Sequence, residues 1–175
     1  DCPAAVITYQ EGNHETRLER SVGELMPALA GTITIAGGLD LAERGIRYVP
    51  EHQQPIRRGK LRILHGHQFG GRFGSKHHAA KAADTFGAEA GIAVVYGHTH
   101  VPQVFSRPVV GGAVTAFGLG CGRTIGPEAV RWLHGREAGW VHQFAVCYWS
   151  DDFAQVYPVT VTAGCFVWNG RLYGA

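Results

Sequence analysis

Short apolar runs separated by helix-like patterns mark the first half of the chain. Runs rich in β-branched residues, each bounded by polar or glycine-containing loops, predict strands at 4–9, 46–49, 61–64 and 92–96. Between them, apolar residues recur every three or four positions, which is the spacing of one face of a helix. Alternating strands and helices predict an α/β fold.

Three helices are predicted in this half. The first begins near Glu15 and is interrupted at Pro27, because proline has no amide hydrogen to donate within a helix. The second covers 40–44 and stops at a glycine, and the third covers 75–86 with Ser75 as its N-cap. Each boundary therefore depends on a residue type with a known effect on helix ends.

The second half consists mainly of predicted strands, at 101–106, 113–117, 140–149, 153–161 and 165–168. Asp151-Asp152 and Asn169-Gly170 have the composition of tight hairpin turns. Neighbouring strands joined by such turns run antiparallel, so antiparallel strands are expected in the C-terminal half. The length suits a single domain over 1–175.

Glycine and histidine occur together at the ends of three predicted strands. The loops read Gly12-Asn13-His14, His65-Gly66-His67 and Gly97-His98-Thr99-His100. The carboxyl ends of strands in an α/β sheet form one edge, so these loops are expected to lie close together. Neutral imidazole binds divalent transition metals, and an asparagine carbonyl offers an oxygen ligand. One such motif alone is usually incidental, but the three together indicate a metal site.

The motif order GNHE, HGH and GHTH resembles the C-terminal motif set of the calcineurin-like metallophosphoesterases, and the hairpin-rich end GCFVWNGRLY is similar to the tail of small bacterial and phage members. The resemblance implies a calcineurin-like α/β/β/α sandwich. It also implies hydrolysis of phosphomono- or phosphodiesters, including those of nucleotides or nucleic acids, by a two-metal mechanism. Mn is the metal expected first, with Fe, Zn or Ni as alternatives.

The resemblance implies metal-ligand roles for four residues. Asn13, His65 and His98 match ligands of the second metal, and His100 matches a ligand of the first. His67 lies two residues beyond its strand and is interpreted as a residue of the loop or of the layer behind the ligands.

Two further residues match the catalytic part of the family pattern. His14 matches the histidine that does not bind metal and that protonates the leaving-group oxygen. Arg17, in the following helix, is placed to bind a phosphate oxygen with its guanidinium group. A surface arginine without a catalytic role is an equally open interpretation of Arg17.

The N-terminal motifs of the family, Asp-x-His and Gly-Asp-x-x-Asp, do not occur in this sequence. Without them the first metal keeps only His100, and two adjacent dications without an anionic bridge would repel each other. The fold is therefore expected to lack its N-terminal strand–helix units, and the chain to be inactive alone. Because the chain opens on Asp1, a segment is expected to have been removed ahead of it. That segment or a partner chain would cover the exposed sheet edge.

An alternative function is that of a non-catalytic structural or interaction protein, such as a phage or assembly component, that reuses the same fold. A third hypothesis is nucleic-acid binding through the basic run at 57–62, which is otherwise interpreted as a solvated loop leading into a strand. The net charge of +2 is below that of a domain identified as nucleic-acid-binding by charge alone.

Composition and the cysteine pattern indicate the class of protein and its compartment. Hydrophobic residues make up 45% of the chain, enough for a packed core. The four cysteines form no CxxC pair, which is typical of thiols in a reducing compartment, and Cys121 is interpreted as structural. No apolar run reaches transmembrane length. A cytoplasmic or virion-associated protein is therefore expected, with the tryptophans and tyrosines of its tail serving mainly as core or strand-pair residues.

Overall fold

The structure is a computed structural model, and it describes residues 4–69, 77–126 and 139–174. The chain forms two compact units, Asp1–Gln54 and Pro55–Ala175. The single domain over 1–175 stays a prediction. The described residues form a mixed α/β protein in which strands predominate. In this part of the chain every helix is too short or too polar to cross a lipid bilayer.

The first unit contains two short parallel strands and two helices. Their bounds are β1 Thr8–Gln10, α1 Asn13–Leu25, α2 Ile35–Gly38 and β2 Arg47–Val49, with single 3-10 turns at Pro27–Leu29 and Glu51–Gln53. Strand β1 pairs with β2 in parallel, with Tyr9 opposite Tyr48. The two tyrosine rings stack with their centroids 6.1 Å apart.

Glu15 fixes the start of α1. Its carboxylate accepts a hydrogen bond of 2.9 Å from the amide of Gly12, which otherwise has no partner within the helix. The same carboxylate accepts a 2.7 Å hydrogen bond from the hydroxyl of Tyr9 on β1. The helix ends at Leu25, two residues before Pro27, as the sequence predicts.

Two predictions for the first unit are wrong. The predicted buried strand at 4–9 is reduced to β1, and Val6 and Ile7 ahead of it are 80% and 56% exposed. The predicted helix at 40–44 is a series of turns, and the helix lies earlier, in α2. The hydroxyl of Thr34 accepts a 3.0 Å hydrogen bond from the amide of Gly37, which stabilises the start of α2.

The second unit is built on a five-stranded sheet. Its strands are β3 Ile56–Arg58, β4 Leu61–Leu64, β5 Ala93–Tyr96, β6 Gln103–Val109 and β7 Gly112–Gly118. Their order across the sheet is β3-β4-β5-β7-β6. The three central strands β4, β5 and β7 are parallel, while β3 and β6 pair antiparallel at the two edges.

Helix α3, His78–Thr85, packs on one face of this sheet. Its residues Ala79, Ala82 and Ala83 join a core with Val94 and with the other buried residues of that face, Leu64, Tyr96, Val114 and Ala116. Small alanine side chains let the helix backbone approach the sheet closely. The side chains of β5 alternate between the two faces, so Val94 meets the helix while Ala93 and Val95 point to the opposite side.

The opposite face of the sheet is covered by a hairpin of two long strands, β8 Gln143–Trp149 and β9 Ala154–Thr160. Val156 of β9 packs with Leu61, Ala93 and Val95 of the sheet. A shorter hairpin follows, β10 Phe166–Trp168 and β11 Arg171–Tyr173. The second unit therefore has a helix, a sheet and a hairpin in three layers, while the full α/β/β/α sandwich stays a prediction.

Several boundaries in the second unit agree with the sequence. Strand β4 covers the predicted 61–64, and β5 begins one residue after the predicted 92–96. Asn169 and Gly170 have positive φ angles of 48° and 74°, as the predicted tight turn between β10 and β11 requires. Helix α3 lies within the predicted 75–86, while Ser75, its predicted N-cap, lies outside the described residues.

The interpretation of the basic run at 57–62 as a solvated loop leading into a strand is confirmed for the strand, β4, and wrong for the loop. Arg57 and Arg58 belong to β3, and Arg62 lies on β4 directly opposite Arg57. The guanidinium group of Arg62 is buried and donates a 3.0 Å hydrogen bond to the carbonyl of Leu61. Burial and the charge of Arg57 both lower the pKa of Arg62.

Candidate metal centre

Two of the three histidine loops follow neighbouring parallel strands of one sheet. His65 comes directly after β4, and His98 comes two residues after β5. The register places Leu64 beside Tyr96, so both strands end at the same level. The expected meeting of strand ends is therefore confirmed for these two loops.

The rings that these loops carry form a compact group. The Nδ1 atom of His98 lies 3.2 Å from the Nε2 atom of His65, and the two ring centroids are 5.1 Å apart. His67 belongs to the same group, with its ring centroid 5.3 Å from that of His65 and 6.1 Å from that of His98. The structure thus brings together two predicted ligands and one residue that the sequence placed behind them.

The backbone at these loops is held in unusual conformations. His98 and His100 have φ angles of 66° and 60°, in the left-handed region that non-glycine residues rarely adopt. Gly66, between His65 and His67, has a φ of 102°, and a Cβ there would lie 2.7 Å from the ring of Tyr96. Such conformations cost free energy and tend to occur at functional sites, which supports a functional interpretation of the loops.

Electrostatics keeps His98 neutral. Burial first, and then repulsion from His65, His67, His78 and His100, lower its pKa from 6.5 to about 4. A neutral imidazole has a lone pair available for a metal. The charged groups that act on the pKa of His98 are histidines of the described residues.

His100 faces a different neighbourhood within the same unit. Its ring lies edge-on to Trp140, with centroids 4.9 Å apart, and its carbonyl accepts a 3.2 Å hydrogen bond from the amide of Val141. The guanidinium group of Arg123 lies over the ring of Trp140, 5.0 Å from its centroid. His100 is close enough to His98 to act on its pKa.

His78 was not singled out in the sequence, but it belongs to the same surroundings. It lies in the first turn of α3, is only 3% exposed, and its ring is nearly parallel to that of His98 at 6.0 Å. Burial, followed by the charge of Lys81, lowers its pKa. In the sequence, the burial of His78 is indicated by its position on the same helix face as Ala79, Ala82 and Ala83.

The remaining predicted residues lie in the first unit. Asn13 and His14 are the first two residues of α1, and Arg17 follows one turn later. Asn13 is half-buried, while His14 and Arg17 are exposed. Their roles stay predictions. Glu11 directly follows β1 and was not singled out in the sequence. It is buried, and its carboxylate accepts a hydrogen bond from the amide of Glu51.

The donor atoms of His65 and His98 suit a divalent transition metal. Two imidazole nitrogens at about 2.0–2.1 Å from one Zn²⁺ ion lie about 2.9–3.4 Å apart, depending on the angle at the metal. The observed 3.2 Å falls within this range. Within 4–69, 77–126 and 139–174, no three His, Cys, Asp or Glu side chains stand in positions that could hold a metal ion.

Comparison with known proteins adds little. No family model matches the chain, and no curated protein matches it. Among solved structures, the chain is similar to a double mutant of Vps29 from Entamoeba histolytica, with 15% identity over 96% of this chain and 94% of that chain and a TM-score of 0.36. A similarity at this level supports no conclusion about fold or function, which must be argued from the residues themselves.

Proposed function

We propose that the chain binds a divalent metal ion at His65 and His98 and provides the metal-holding part of a phosphoesterase of the calcineurin-like type. The observation that carries this proposal is the 3.2 Å distance between the Nδ1 atom of His98 and the Nε2 atom of His65. Both nitrogens lie at the carboxyl ends of the parallel strands β4 and β5, where α/β proteins commonly bind their ligands.

Each residue has a distinct task in this function. His65 and His98 hold the metal as neutral imidazoles, and the conformation at Gly66 fixes the loop of His65 against Tyr96. The metal, when bound, supplies Lewis acidity towards water and a phosphoryl oxygen. His14 donates a proton to the leaving-group oxygen, and Arg17 binds a phosphate oxygen, in the roles that the resemblance implies.

Metal content and turnover test the proposal together. The purified chain is analysed for bound metal by elemental analysis and assayed with bis-(p-nitrophenyl) phosphate in the presence of Mn²⁺. We expect bound metal in the unaltered chain, its loss in His98→Ala, and no change in His52→Ala, which removes an exposed histidine of the first unit. Equal metal content in all three proteins would overturn the assignment of His65 and His98.

A second candidate function is that of a non-catalytic structural or interaction protein, such as a phage or assembly component, with the same fold. It is favoured by the described residues, 4–69, 77–126 and 139–174, among which no three His, Cys, Asp or Glu side chains are placed to hold a metal ion. Exposed apolar side chains on the two hairpins also favour it: Tyr148, Trp149, Phe153, Val167 and Leu172. Because the chain alone is expected to be inactive in both cases, the discriminating observation is the upstream coding sequence. An upstream sequence without an Asp-x-His motif would favour this candidate over the enzyme.

A further inference from the structure

We propose that His67 is the third ligand of a single metal ion that His65 and His98 also bind. The inference rests on the proposed metal binding and extends it, because the motif resemblance gives His67 no ligand role. It predicts a three-histidine site for one Zn²⁺ or Co²⁺ ion, contained within the second unit and complete without any residue of the first unit.

The spacing of the three rings supports this site. Imidazoles bound to one metal at about 2.0–2.1 Å place their ring centroids about 4.6–5.3 Å apart. The His65–His98 and His65–His67 spacings are 5.1 and 5.3 Å, at or within that range. The His67–His98 spacing of 6.1 Å is wider, so the ring of His67 must move inward by roughly 1 Å to close the site. As they stand, the described side chains form no group of three that could hold a metal ion, and the inward movement of the His67 ring is part of the proposal.

The backbone that carries His67 is anchored on both sides. His67 begins a 3-10 turn, His67–Phe69, in which the amide of Phe69 donates a 3.2 Å hydrogen bond to the carbonyl of Gly66. Phe69 is buried, with its ring 5.7 Å from Tyr96 and 6.3 Å from Phe86. A ring that turns about its side-chain bonds on a fixed backbone meets its target at small entropic cost.

The turn between His65 and His67 is built for a close approach of the two rings. Gly66 is buried against Tyr96, and its amide donates a 3.2 Å hydrogen bond to the side-chain oxygen of Gln68. Its φ of 102° is open to glycine and strained for other residues. The glycine therefore allows two histidines, one on each side of it, to turn towards His98.

The ligand set decides which metal fits. Three neutral imidazoles leave the dication uncompensated by protein carboxylates, a combination that zinc enzymes with three histidine ligands use. Manganese favours carboxylate and other oxygen ligands and binds more weakly to nitrogen sites than cobalt or zinc does. A three-histidine site therefore predicts preference for Zn²⁺ or Co²⁺ over Mn²⁺, whereas the motif resemblance puts Mn first. A fourth position stays open for water or an anion.

Cobalt binding to the full chain tests the proposal, because Co²⁺ reports its ligands through its visible absorption spectrum. Titrations measure the Kd and spectrum for the unaltered chain and for the variants His65→Ala, His67→Ala, His98→Ala and His52→Ala. We expect one Co²⁺ per chain, a Kd raised at least tenfold in the first three variants, and no change in His52→Ala. We also expect the spectrum of His67→Ala to change in shape at saturating Co²⁺, which a merely structural role would not produce.

A measurement on the unaltered chain guards against misfolded variants. Two-bond proton–nitrogen NMR spectra of the histidine rings, recorded before and after one equivalent of Zn²⁺, reveal which ring nitrogens bind metal. Ring-nitrogen shifts for His65, His67 and His98 together support the proposal. Shifts for His65 and His98 without His67, or an unchanged Kd in His67→Ala, overturn it and leave the proposed function standing. Failure of the unaltered chain to bind Co²⁺ and Zn²⁺ overturns both.

Discussion

The Nδ1 atom of His98 lies 3.2 Å from the Nε2 atom of His65, although the two residues are 33 positions apart in the chain. The contact follows from the parallel pairing of β4 with β5, which sets Leu64 beside Tyr96 and brings both strand ends to one level. Without metal, one ring donates a hydrogen bond to the other, which keeps the two donor atoms close together before any ion arrives.

Two replacements of His98 distinguish the effect of its strained backbone on stability from the effect of losing its imidazole on metal binding. His98 has a φ of 66°, which glycine adopts without the steric cost that a Cβ brings, about 1 kcal/mol. We expect His98→Gly to be more stable than His98→Ala in urea unfolding of the metal-free protein. Both variants lose the imidazole, so both should lose metal binding. A less stable glycine variant would show that the left-handed backbone carries no strain at this position.

Gly66→Ala should damage both stability and metal binding. The new Cβ would lie 2.7 Å from the ring of Tyr96 and would force a residue with a side chain into a φ of 102°. We expect a loss of about 1–3 kcal/mol in the free energy of unfolding, measured in urea, and weaker Co²⁺ binding. Gly122→Ala is the matched control, because a Cβ there has no neighbour within 4 Å among the described atoms. Similar effects at the two glycines would contradict the close packing of Gly66 on Tyr96.

Removing a tyrosine hydroxyl should lower the stability of the protein at Tyr9 in the first unit but not at Tyr96 in the second. The hydroxyl of Tyr9 donates a 2.7 Å hydrogen bond to the carboxylate of Glu15, so Tyr9→Phe should destabilise the protein by about 1 kcal/mol. The hydroxyl of Tyr96 is buried and has no hydrogen-bond partner among the described residues. Tyr96→Phe should therefore leave stability unchanged or raise it by up to about 1 kcal/mol. Thermal unfolding of both variants provides the measurement, and a clear loss in Tyr96→Phe would reveal a partner for that hydroxyl.

Alkaline pH offers an independent test of the Tyr9–Glu15 contact. Burial, followed by the hydrogen bond to Glu15 and its charge, raises the pKa of Tyr9 from 10.0 to about 12. A pKa raised in the folded state stabilises the protein fully below the unfolded pKa, and that contribution is lost as pH rises from about 10 through about 12. We expect the unfolding free energy of the unaltered protein to fall more steeply over this window than that of Tyr9→Phe. Parallel curves would refute the raised pKa.

The sequence predicted four of the five strands of the sheet in the second unit, because their apolar runs are bounded by glycine and polar residues, and it missed β3, whose arginines were interpreted as a loop. Strand β4 agrees at both ends, and the turn at Asn169-Gly170 has the positive φ angles expected of it. The failure at 4–9 has a clear cause. An apolar run predicts a buried strand only if a neighbouring element covers it, and Val6 and Ile7 remain largely exposed.

The candidate site was predicted less completely than the sheet. His65 and His98 were identified because each follows a strand that the sequence marks plainly. His67 was placed behind them, since spacing along the chain does not reveal that a 3-10 turn keeps its ring near His65. His78 was missed because its position depends on how α3 packs on the sheet, which a single sequence does not specify.

The distance between His65 and His98 depends on the register in which β4 pairs with β5. A slip of one residue between these strands would displace His98 from His65 by about 3.3 Å and turn alternate side chains to the opposite face. Such a slip would leave the overall strand content almost unchanged, so circular dichroism would not detect it. At the proposed metal site, such a slip would separate the two ligands and lower the affinity for the ion, so a metal titration would detect a change in strand alignment that leaves the strand content intact.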